Sequence, residues 1–317
     1  MAGGAGLALA ASAPRTDRLP RRLDGSFLQV WKDDLTLPRP RWAERLRQMK
    51  VLGCQTLVLQ WTALGTAYAM SDPLLDALMD LALAAGLGVR VGLPHQEGYW
   101  PMLAAPDLAV RAGYFVRATD AGTRILQGSR LSAHPAFSGW YVPYEIEQVN
   151  WADAERRGIL ARYLAALAKA NDSGIPLAIS TFRSALPDVK TLADLWGAIL
   201  DEVPVRLMVQ DGVGIFGMGN YRHLAPLFAL LRARGSDFDT VVELFTEIPS
   251  GKTDGTTFSA VPATMVRLRA QLAAAADTGA QSLIGFAVHP YMTDASPAAT
   301  QLRAAYARAL GNTGFGI

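Results

Sequence analysis

The stretch FSGWYVPYE, residues 137–145, is an apolar run that ends in a carboxylate. Near-continuous apolar runs of this kind are typical of strands that are buried on both faces of a parallel sheet. They recur about every 37 residues along the chain, and this spacing fits a repeated β-α unit. The seven other runs are GSFLQVW (25–31), QTLVLQWT (55–62), GVRVGLP (88–94), IPLAISTF (175–182), VRLMVQDG (205–212), TVVELFTE (240–247) and SLIGFAVHP (282–290).

Helical patterns separate the runs, and eight such units predict an α/β fold in the form of a single-domain (β/α)8, or TIM, barrel. The predicted helices cover residues 40–53, 71–88, 151–171, 191–203, 221–235, 262–279 and 296–311. The third crossover, residues 95–136, is the longest, so we expect its loop on the active face. An open dinucleotide-binding sheet is the alternative. However, the glycine-rich segment GVGIFGMG (212–219) matches neither phosphate-binding motif, and we interpret it as a flexible loop.

Composition excludes several classes of protein. The 317 residues carry a net charge of +2, 18% are charged and 50% are hydrophobic. These values exclude a disordered chain and a supercharged nucleic-acid binder, and they give no reason to expect a nucleic acid or an anionic membrane as partner. The single cysteine, Cys54, excludes an intramolecular disulfide and a zinc–thiolate cluster. We expect it to be a buried structural thiol.

The amino terminus resembles the end of a signal peptide. Residues 1–13 read MAGGAGLALAASA, a small apolar segment that closes on an Ala-Ser-Ala triplet. We therefore expect a periplasmic or secreted protein; a cytoplasmic one is the alternative if the segment is only a disordered tail. Residues 1–24 are expected to lie outside the fold and to be dispensable for it, and residues 25–317 to form the catalytic barrel. No segment is long and apolar enough to predict a membrane span.

Two glutamates close strands at the expected active face. In a TIM barrel the carboxyl ends of the strands carry the chemistry. Glu145 ends the fourth run and Glu243 lies in the seventh, VVELF, where both faces of the strand should be covered. Glycoside hydrolysis needs two carboxyl groups, one protonated and one ionised, on either side of the scissile bond. Glu145 and Glu243 are therefore the predicted catalytic pair.

Each glutamate also has a structural interpretation. Glu243 could form a buried salt bridge with Arg183 or Arg206, and Glu145 could cap a helix. If the pair is catalytic, the carboxyl groups should lie about 5–5.5 Å apart for retention of configuration, or about 6.5–9.5 Å apart for inversion. We expect a raised pKa at Glu145, and an ionised Glu243 held by Tyr291, His289 or Arg183.

Further polar and aromatic residues follow the strands and predict a cleft for a polysaccharide or oligosaccharide. Aromatic rings can stack on the CH faces of sugars, and amides and carboxylates can bind their hydroxyl groups. Trp140 is another aromatic of this set, although it can equally belong to the core. The predicted substrate-binding residues are Trp31, Gln60, Trp61, His95, Tyr99, Trp100, Tyr144, Asp211, His289 and Tyr291.

A metal-dependent sugar enzyme is a rival hypothesis. His95, Glu145, Asp211, Glu243 and His289 could surround a divalent cation, as in barrels of the sugar-isomerase type. The sequence contains no H-x-H or H-E-x-x-H spacing to support a metal site. We therefore expect neither a metal nor another cofactor.

Four segments resemble a bacterial TIM-barrel family that is known only as a domain of unknown function. They are GSFLQVW, TLVLQWT, GWYVPYEIEQVNW and VVELFTE, and the resemblance covers residues 24–311. The family is similar in pattern to clan A glycoside hydrolases. The resemblance implies an exported, retaining hydrolase of bacterial exopolysaccharide, with Glu145 as acid/base and Glu243 as nucleophile. It also implies a connection to the machinery of polysaccharide synthesis or export.

One position departs from the clan pattern. The clan usually has Asn directly before the acid/base residue, and this chain has Tyr144. A barrel that binds polysaccharide without cleaving it is therefore our second hypothesis for the function.

Overall fold

Eight parallel strands close into a barrel in the described part of the chain, which in this computed structural model comprises residues 19–186, 191–249 and 258–311. Each strand pairs with its neighbours in sequence, and the last strand closes on the first. The predicted (β/α)8 barrel is thus confirmed. The strands are β1 (Gly25–Leu28), β2 (Thr56–Leu59), β3 (Gly88–Gly92), β4 (Phe137–Ile146), β5 (Leu177–Thr181), β6 (Val205–Gln210), β7 (Phe238–Glu243) and β8 (Ser282–Phe286).

Each strand is followed by an outer helix. These are α1 (Arg39–Val51), α2 (Asp72–Ala84), α3 (Leu108–Gly128), α4 (Ala154–Ala170), α5 (Leu192–Glu202), α6 (Asn220–Ala233), α7 (Met265–Ala276) and α8 (Pro297–Ala309). Local signals set their ends: the Asp153 carboxylate accepts hydrogen bonds from the first amides of α4, and Thr191 and Asp194 form a capping box at α5. The third crossover adds a short helix, Tyr99–Ala104, before α3.

Apolar side chains fill the middle of the barrel. Phe27, Val58, Tyr141, Met208 and Val241 belong to one buried cluster that is separate from the larger core between barrel and helices. Residues two positions further along each strand face the same side, because side chains alternate in direction. The inner surface of the carboxyl-terminal mouth is therefore formed by the residues that follow this cluster.

An ion cluster closes the opposite end of the barrel. Asp239 is fully buried and accepts hydrogen bonds from Arg206 Nε (3.0 Å) and Nη2 (2.6 Å), as well as from Arg90. It lies four residues before Glu243 on β7, which corresponds to about 13 Å of strand. Arg206 is therefore committed to Asp239 and does not form the salt bridge that was considered for Glu243.

The chain packs against the barrel before residue 25. Leu23 is completely buried, and its N–H donates to the Tyr306 hydroxyl on α8 at 2.8 Å. Asp24 accepts a hydrogen bond from the Leu283 amide at 2.9 Å, and Arg21 donates to the Ala280 carbonyl at 2.8 Å. Residues 21–24 are thus part of the folded unit, earlier than the boundary expected from the sequence. Residues 1–18, with the signal-like segment, lie outside the described residues.

Two further predictions concerned Cys54 and membrane-spanning segments. Cys54 is buried, and burial raises the pKa of its thiol to about 12, as suits a structural side chain. Within the described ranges, the structure contains no helix with the length and apolar character that a bilayer crossing requires.

Candidate active site

A local irregularity in β4 presents Glu145 at the mouth of the barrel. Val142 pairs with Ile179 of β5, but the next paired residue, Ser180, lies opposite Glu145. A step of three residues in β4 therefore matches a step of one residue in β5. Pro143 lies in this interval and has no N–H to donate to the ladder. Such bulges bend a strand and redirect the side chains beyond them. Glu145 therefore reaches the inner face of the mouth and remains partly exposed.

Among the described residues, one side chain donates a hydrogen bond to the Glu145 carboxylate. Gln210 Nε2, at the end of β6, donates to Glu145 Oε1 at 2.9 Å. Burial raises the pKa of Glu145, and the hydrogen bond from Gln210 opposes this shift. A raised pKa is the shift that we expected for a general acid at this position. The Tyr99 hydroxyl donates to the backbone carbonyl of Glu145 at 2.7 Å and so holds the backbone of the bulge.

Glu243 ends β7 and is only 4% exposed. The backbone N–H of Gly214 donates to its Oε2 at 2.7 Å. Burial, the charge of Asp211 and the charge of Glu145 raise the pKa of Glu243 well above its usual value; Gly214 and Arg267 oppose that shift. We expected Glu243 to be ionised, whereas its raised pKa favours the protonated form. The reason is that burial and the charges of two nearby carboxylates raise the pKa by more than Gly214 and Arg267 lower it.

The partners of Glu243 were also not those expected. Gly214 supplies the hydrogen bond, and Arg267 supplies the opposing charge, in place of Tyr291, His289 or Arg183. Arg267 Nη2 donates to the backbone carbonyls of Glu243 (3.1 Å) and Phe245 (2.6 Å), so it holds the end of β7 from the side of α7.

Asp211 is a third carboxylate in this cluster, and it is fully buried. Its Oδ1 accepts hydrogen bonds from the backbone N–H groups of Val213 (3.1 Å) and Glu243 (3.3 Å). Its Oδ2 accepts from Gln271 Nε2 (2.8 Å) and the Tyr221 hydroxyl (3.2 Å). Burial raises the pKa of Asp211 to about 6, against the effect of these four donors. The structure therefore places Asp211 behind Glu243, away from the space a substrate would occupy.

The glycine-rich segment after β6, which we interpreted from the sequence as a flexible loop, contains a short helix. Gly212 adopts a left-handed conformation (φ 62°) and begins a one-turn helix, Val213–Phe216. A Cβ atom on Gly214 would lie 2.5 Å from the Phe245 carbonyl oxygen and 2.9 Å from Glu243 Oε2. Only glycine allows this approach, and it brings the Gly214 N–H to the carboxylate.

Sequence reasoning missed four residues of the site. Gln210 and Gly214 carry a visible signal, because Gln210 is a polar residue near the end of the sixth run and Gly214 lies in the glycine-rich segment 212–219. Arg267 and Gln271 lie on α7, where an arginine and a glutamine are indistinguishable from ordinary surface residues. Only the packing of α7 against β7 and β6 brings them to Glu243 and Asp211.

Some predicted sugar platforms line the mouth. Trp31 is 49% exposed and packs edge-on against Trp61, with ring centroids 5.2 Å apart. Trp61 itself is 5% exposed and donates from Nε1 to the Val30 carbonyl at 3.1 Å, so it supports the Trp31 ring. Trp100 is 45% exposed on the third crossover, and Tyr291 packs beside Phe245 with centroids 5.5 Å apart.

Gln60 offers an unused hydrogen-bonding group. It follows β2 two positions after Val58, so strand alternation places it on the inner face of the mouth. The residue is 8% exposed, and within the described residues its buried Oε1 has no hydrogen-bond partner. Buried polar atoms are nearly always paired, which makes this atom a candidate contact for a sugar hydroxyl.

The other predicted contacts lie deeper. Tyr144 is completely buried among aromatic rings between the barrel and the helices, 4.9 Å from His95 and 5.1 Å from Tyr99 between centroids. Tyr99 is 2% exposed, and burial lowers the pKa of His95 to about 4, so the ring is neutral at pH 7. These three side chains contact one another beneath the surface of the mouth. The neighbour of Glu145 is therefore part of the core, and Trp140 is also fully buried.

His289 follows the carboxyl end of β8, at the same mouth of the barrel. Its Nδ1 is 2.7 Å from Thr293 Oγ1, and burial lowers the pKa of the imidazole to about 4. Among the residues that the structure describes, no three His, Cys, Asp or Glu side chains are grouped to hold a metal ion. His95, in particular, packs against aromatic rings and not beside the carboxylates.

The helix-capping role considered for Glu145 belongs to a neighbour. The Glu147 carboxylate accepts hydrogen bonds from the amides of Val149 (2.6 Å) and Asn150 (3.0 Å) and caps the short helix Gln148–Trp151. Of the two glutamates in the YEIE motif, one therefore faces the mouth and the other builds the loop beside it.

Solved structures with this fold include several named for carbohydrate enzymes. A candidate α-L-fucosidase from Bacteroides thetaiotaomicron superposes with a TM-score of 0.71 at 18% identity and covers 98% of this chain and 99% of that one. A GH99 endo-α-mannosidase from the same species gives 0.53 at 13% identity over 89% and 95%. A β-galactosidase from Marinomonas ef1 gives 0.54 at 11% identity over 83% and 53%. At these low sequence identities, the superpositions show that the proteins share a fold.

Sequence comparison finds closer relatives. The Escherichia coli K12 protein called "Uncharacterized protein YbcH" is 30% identical over 203 residues. The match covers 61% of this chain and 66% of that protein, just under two thirds of its length. The family described as "Domain of unknown function (DUF4434)" matches residues 23–301, from the segment that enters the barrel to the last helix. This match covers most of the chain and all eight strands, and the protein therefore belongs to the DUF4434 family.

Proposed function

We propose that this protein is a retaining glycoside hydrolase in which Glu145 is the general acid/base and Glu243 is the nucleophile. The observation that carries the proposal is the placement of two carboxyl groups at one barrel mouth, Glu145 partly exposed and Glu243 buried. Among the described residues, Gln210 donates to the Glu145 carboxylate and Gly214 to the Glu243 carboxylate. The charge of Glu145 also contributes to the raised pKa of Glu243, as expected for two carboxyl groups at one mouth. An acid and a nucleophile that share one proton need such coupling.

The proposed reaction has two steps. In the reactive form Glu145 carries the proton and Glu243 is ionised. The Glu243 carboxylate attacks the anomeric carbon while Glu145 gives its proton to the departing glycosidic oxygen, and a glycosyl ester forms on Glu243. Glu145, now ionised, takes a proton from water as the water attacks the anomeric carbon. The ester bond to Glu243 breaks, and Glu145 recovers its proton. The amide of Gln210 can hydrogen-bond Glu145 in both protonation states, because an amide group both donates and accepts.

Carbohydrate as the substrate class has independent support. The half-exposed ring of Trp31 offers a stacking surface at the mouth. The buried amide oxygen of Gln60 has no partner among the residues that the structure describes, and a sugar hydroxyl could complete its hydrogen bonding. The names of the proteins that share the fold, a fucosidase, a mannosidase and a galactosidase among them, point to the same class. We further propose bacterial exopolysaccharide as the natural substrate, on the basis of the family resemblance.

The test of the hydrolase proposal compares matched glutamate-to-glutamine variants. The full chain is incubated with a panel of bacterial exopolysaccharides and aryl glycosides, and new reducing ends are counted. Glu145→Gln and Glu243→Gln should each lose at least about a hundredfold in turnover while retaining glycan binding by calorimetry. Glu202→Gln is the control, because Glu202 is an exposed carboxylate at the last residue of α5, away from the mouth. It should keep full turnover.

The outcomes separate the hypotheses. Full activity in both catalytic variants would overturn the proposal. Glycan binding by the unmodified chain without release of reducing ends would instead identify a polysaccharide-binding barrel. The anomer that forms first, observed by proton NMR, tests retention against inversion.

Export is a separate proposal that rests on the signal-like residues 1–13. The full-length chain is expressed in a Gram-negative host, and periplasmic and cytoplasmic fractions are compared by intact mass. Recovery from the periplasm, with the mass reduced by removal of this segment, is the expected result. An uncleaved cytoplasmic protein would contradict export.

A further inference from the structure

We propose that Asp211 is a positioning residue for Glu243, which fixes both the backbone and the carboxylate of Glu243 without contacting the substrate. The inference rests on the proposed function in taking Glu243 as the nucleophile. The geometric relation between the two carboxylates is independent of that function.

Asp211 has no capacity left for a substrate. An ionised carboxylate offers about four lone-pair sites, and four donors surround this one within hydrogen-bonding distance. Two backbone amides share Oδ1, and the Gln271 amide and the Tyr221 hydroxyl share Oδ2. The side chain is also fully buried. A group in this state can influence the reaction only through its neighbours.

Three separate links lead from Asp211 to Glu243. The first is direct, because the Glu243 N–H donates to Asp211 Oδ1. The second passes through the turn after β6, where Asp211 Oδ1 accepts from Val213 and thereby orders the residue that precedes Gly214, the donor to the Glu243 carboxylate. The third is Gln271, whose Nε2 lies 2.8 Å from Asp211 Oδ2 and 3.1 Å from the Glu243 carbonyl oxygen.

The charge of Asp211 adds an electrostatic influence. The charged and titratable groups around Glu243 in the described part of the chain come from five elements: Asp211 from the end of β6, Glu145 from β4, Arg267 from α7, Tyr221 from α6 and Tyr291 from the turn after β8. The two acids raise the pKa of Glu243, and Arg267 lowers it. Removing the negative charge of Asp211 should therefore lower the pKa of Glu243 and favour its ionised form.

The experiment follows the titration of Glu243 directly. Carboxyl carbons of glutamate are labelled with 13C, and the Glu243 signal is assigned as the one missing in Glu243→Gln. In Asp211→Asn the titration midpoint of Glu243 should fall by about one pH unit, whereas in Asp211→Glu, which keeps the charge, it should stay raised. Asp153→Asn is the control for the same chemical change at an exposed helix cap and should leave the midpoint unchanged.

Kinetics complete the test once a substrate is known. Asp211→Asn should lower kcat about tenfold or more, because a displaced nucleophile reacts slowly, while KM stays within about threefold. The acid limb of its pH profile should move to lower pH, a change that a purely structural role would not produce. If this variant does not fold, Gln271→Met, which removes the third link, should still lower kcat at constant KM.

Two results would overturn the inference: an unchanged Glu243 midpoint in folded Asp211→Asn, or a raised KM at normal kcat, which would make Asp211 a substrate contact. Failure of the hydrolase proposal is a different observation. In that case no glycan would be cleaved, while the titration would still report whether Asp211 controls Glu243.

Discussion

The site depends on one backbone amide that only glycine can supply. The Gly214 N–H reaches Glu243 Oε2 because no Cβ atom stands between this turn and the end of β7. Gly214→Ala should therefore push the donor away from the carboxylate and lower kcat by about ten- to a hundredfold, since misplacement of about 1 Å can cost this much. Steady-state kinetics on a cleaved glycan would measure the effect.

The same segment provides the control. A Cβ atom on Gly219 would meet Arg222 Nη2 at 3.5 Å, which is ordinary van der Waals contact. Gly219→Ala should therefore keep turnover. Equal losses in both variants would mean that the whole segment tolerates no methyl group and that Gly214 has no special role.

Gln60 tests substrate recognition at the residue scale. Its Oε1 has no partner within the described residues, so a sugar hydroxyl would complete its hydrogen bonding. Gln60→Leu keeps the size and removes the amide, and KM should rise about two- to tenfold with little change in kcat, as expected for one neutral hydrogen bond. Gln55→Leu, an exposed glutamine just before β2, should leave KM unchanged.

The sequence predicts some residues of the site and not others, for a physical reason. Glu145 and Glu243 are visible because a carboxylate in an apolar run needs an explanation. Gln271, Arg267 and Tyr221 lie on helices, where their types are common and their roles depend on which strand they pack against. For Tyr144 the prediction was wrong in the other direction, because we expected a substrate contact and the residue lies in the core. Its neighbour Glu145 faces the mouth, and side chains alternate along a strand.

At the scale of elements, periodicity predicts the strands well because each apolar run must be buried on both faces. All eight predicted runs contain a strand, although six of the strands, β1, β2, β3, β6, β7 and β8, end two to four residues before their runs do. The residues after these strands are the polar ones of the mouth. Composition alone does not show where pairing stops, since the ends of strands are set by the loops that leave them.

The segment that enters the barrel is an element that the sequence did not predict. Leu23 is fully buried between β1 and α8, as its bond to Tyr306 shows. Leu23→Ala should lower the free energy of unfolding by about 2–5 kcal/mol, the range for buried leucines in cores. Chemical denaturation would measure this value.

Leu186 allows a matched comparison for that substitution, because it is 64% exposed. Leu186→Ala should change the free energy of unfolding by no more than about 0.5 kcal/mol. A small effect at Leu23 would show that residues before β1 add little to the fold, as the composition of residues 1–24 first indicated.

At the scale of the whole molecule, charge is separated along the barrel axis. At one end, two arginines neutralise the buried Asp239. At the other, Glu145, Asp211 and Glu243 lie together, with Arg267 as the opposing charge that acts on Glu243. The first arrangement stabilises the fold, whereas the second opposes it, because carboxylates buried together are costly to ionise. Proteins commonly accept such a loss of stability at functional sites.

This cost predicts a pH-dependent gain in stability for Glu243→Gln. The pKa of Glu243 is raised in the folded state, so the folded protein holds this proton at pH values where the unfolded chain has released it. The stabilisation from the proton is complete below the unfolded pKa and is lost as pH rises through the folded pKa. Glutamine keeps an oxygen for the Gly214 N–H and never ionises.

The difference in Tm between Glu243→Gln and the unmodified chain should therefore be near zero at pH 4 and increasingly positive towards pH 8. Glu202→Gln, at the exposed end of α5, is the matched control for the same chemical change. A Glu243→Gln protein that is less stable at pH 8, or whose difference does not change with pH, would show that the mouth carries no electrostatic strain.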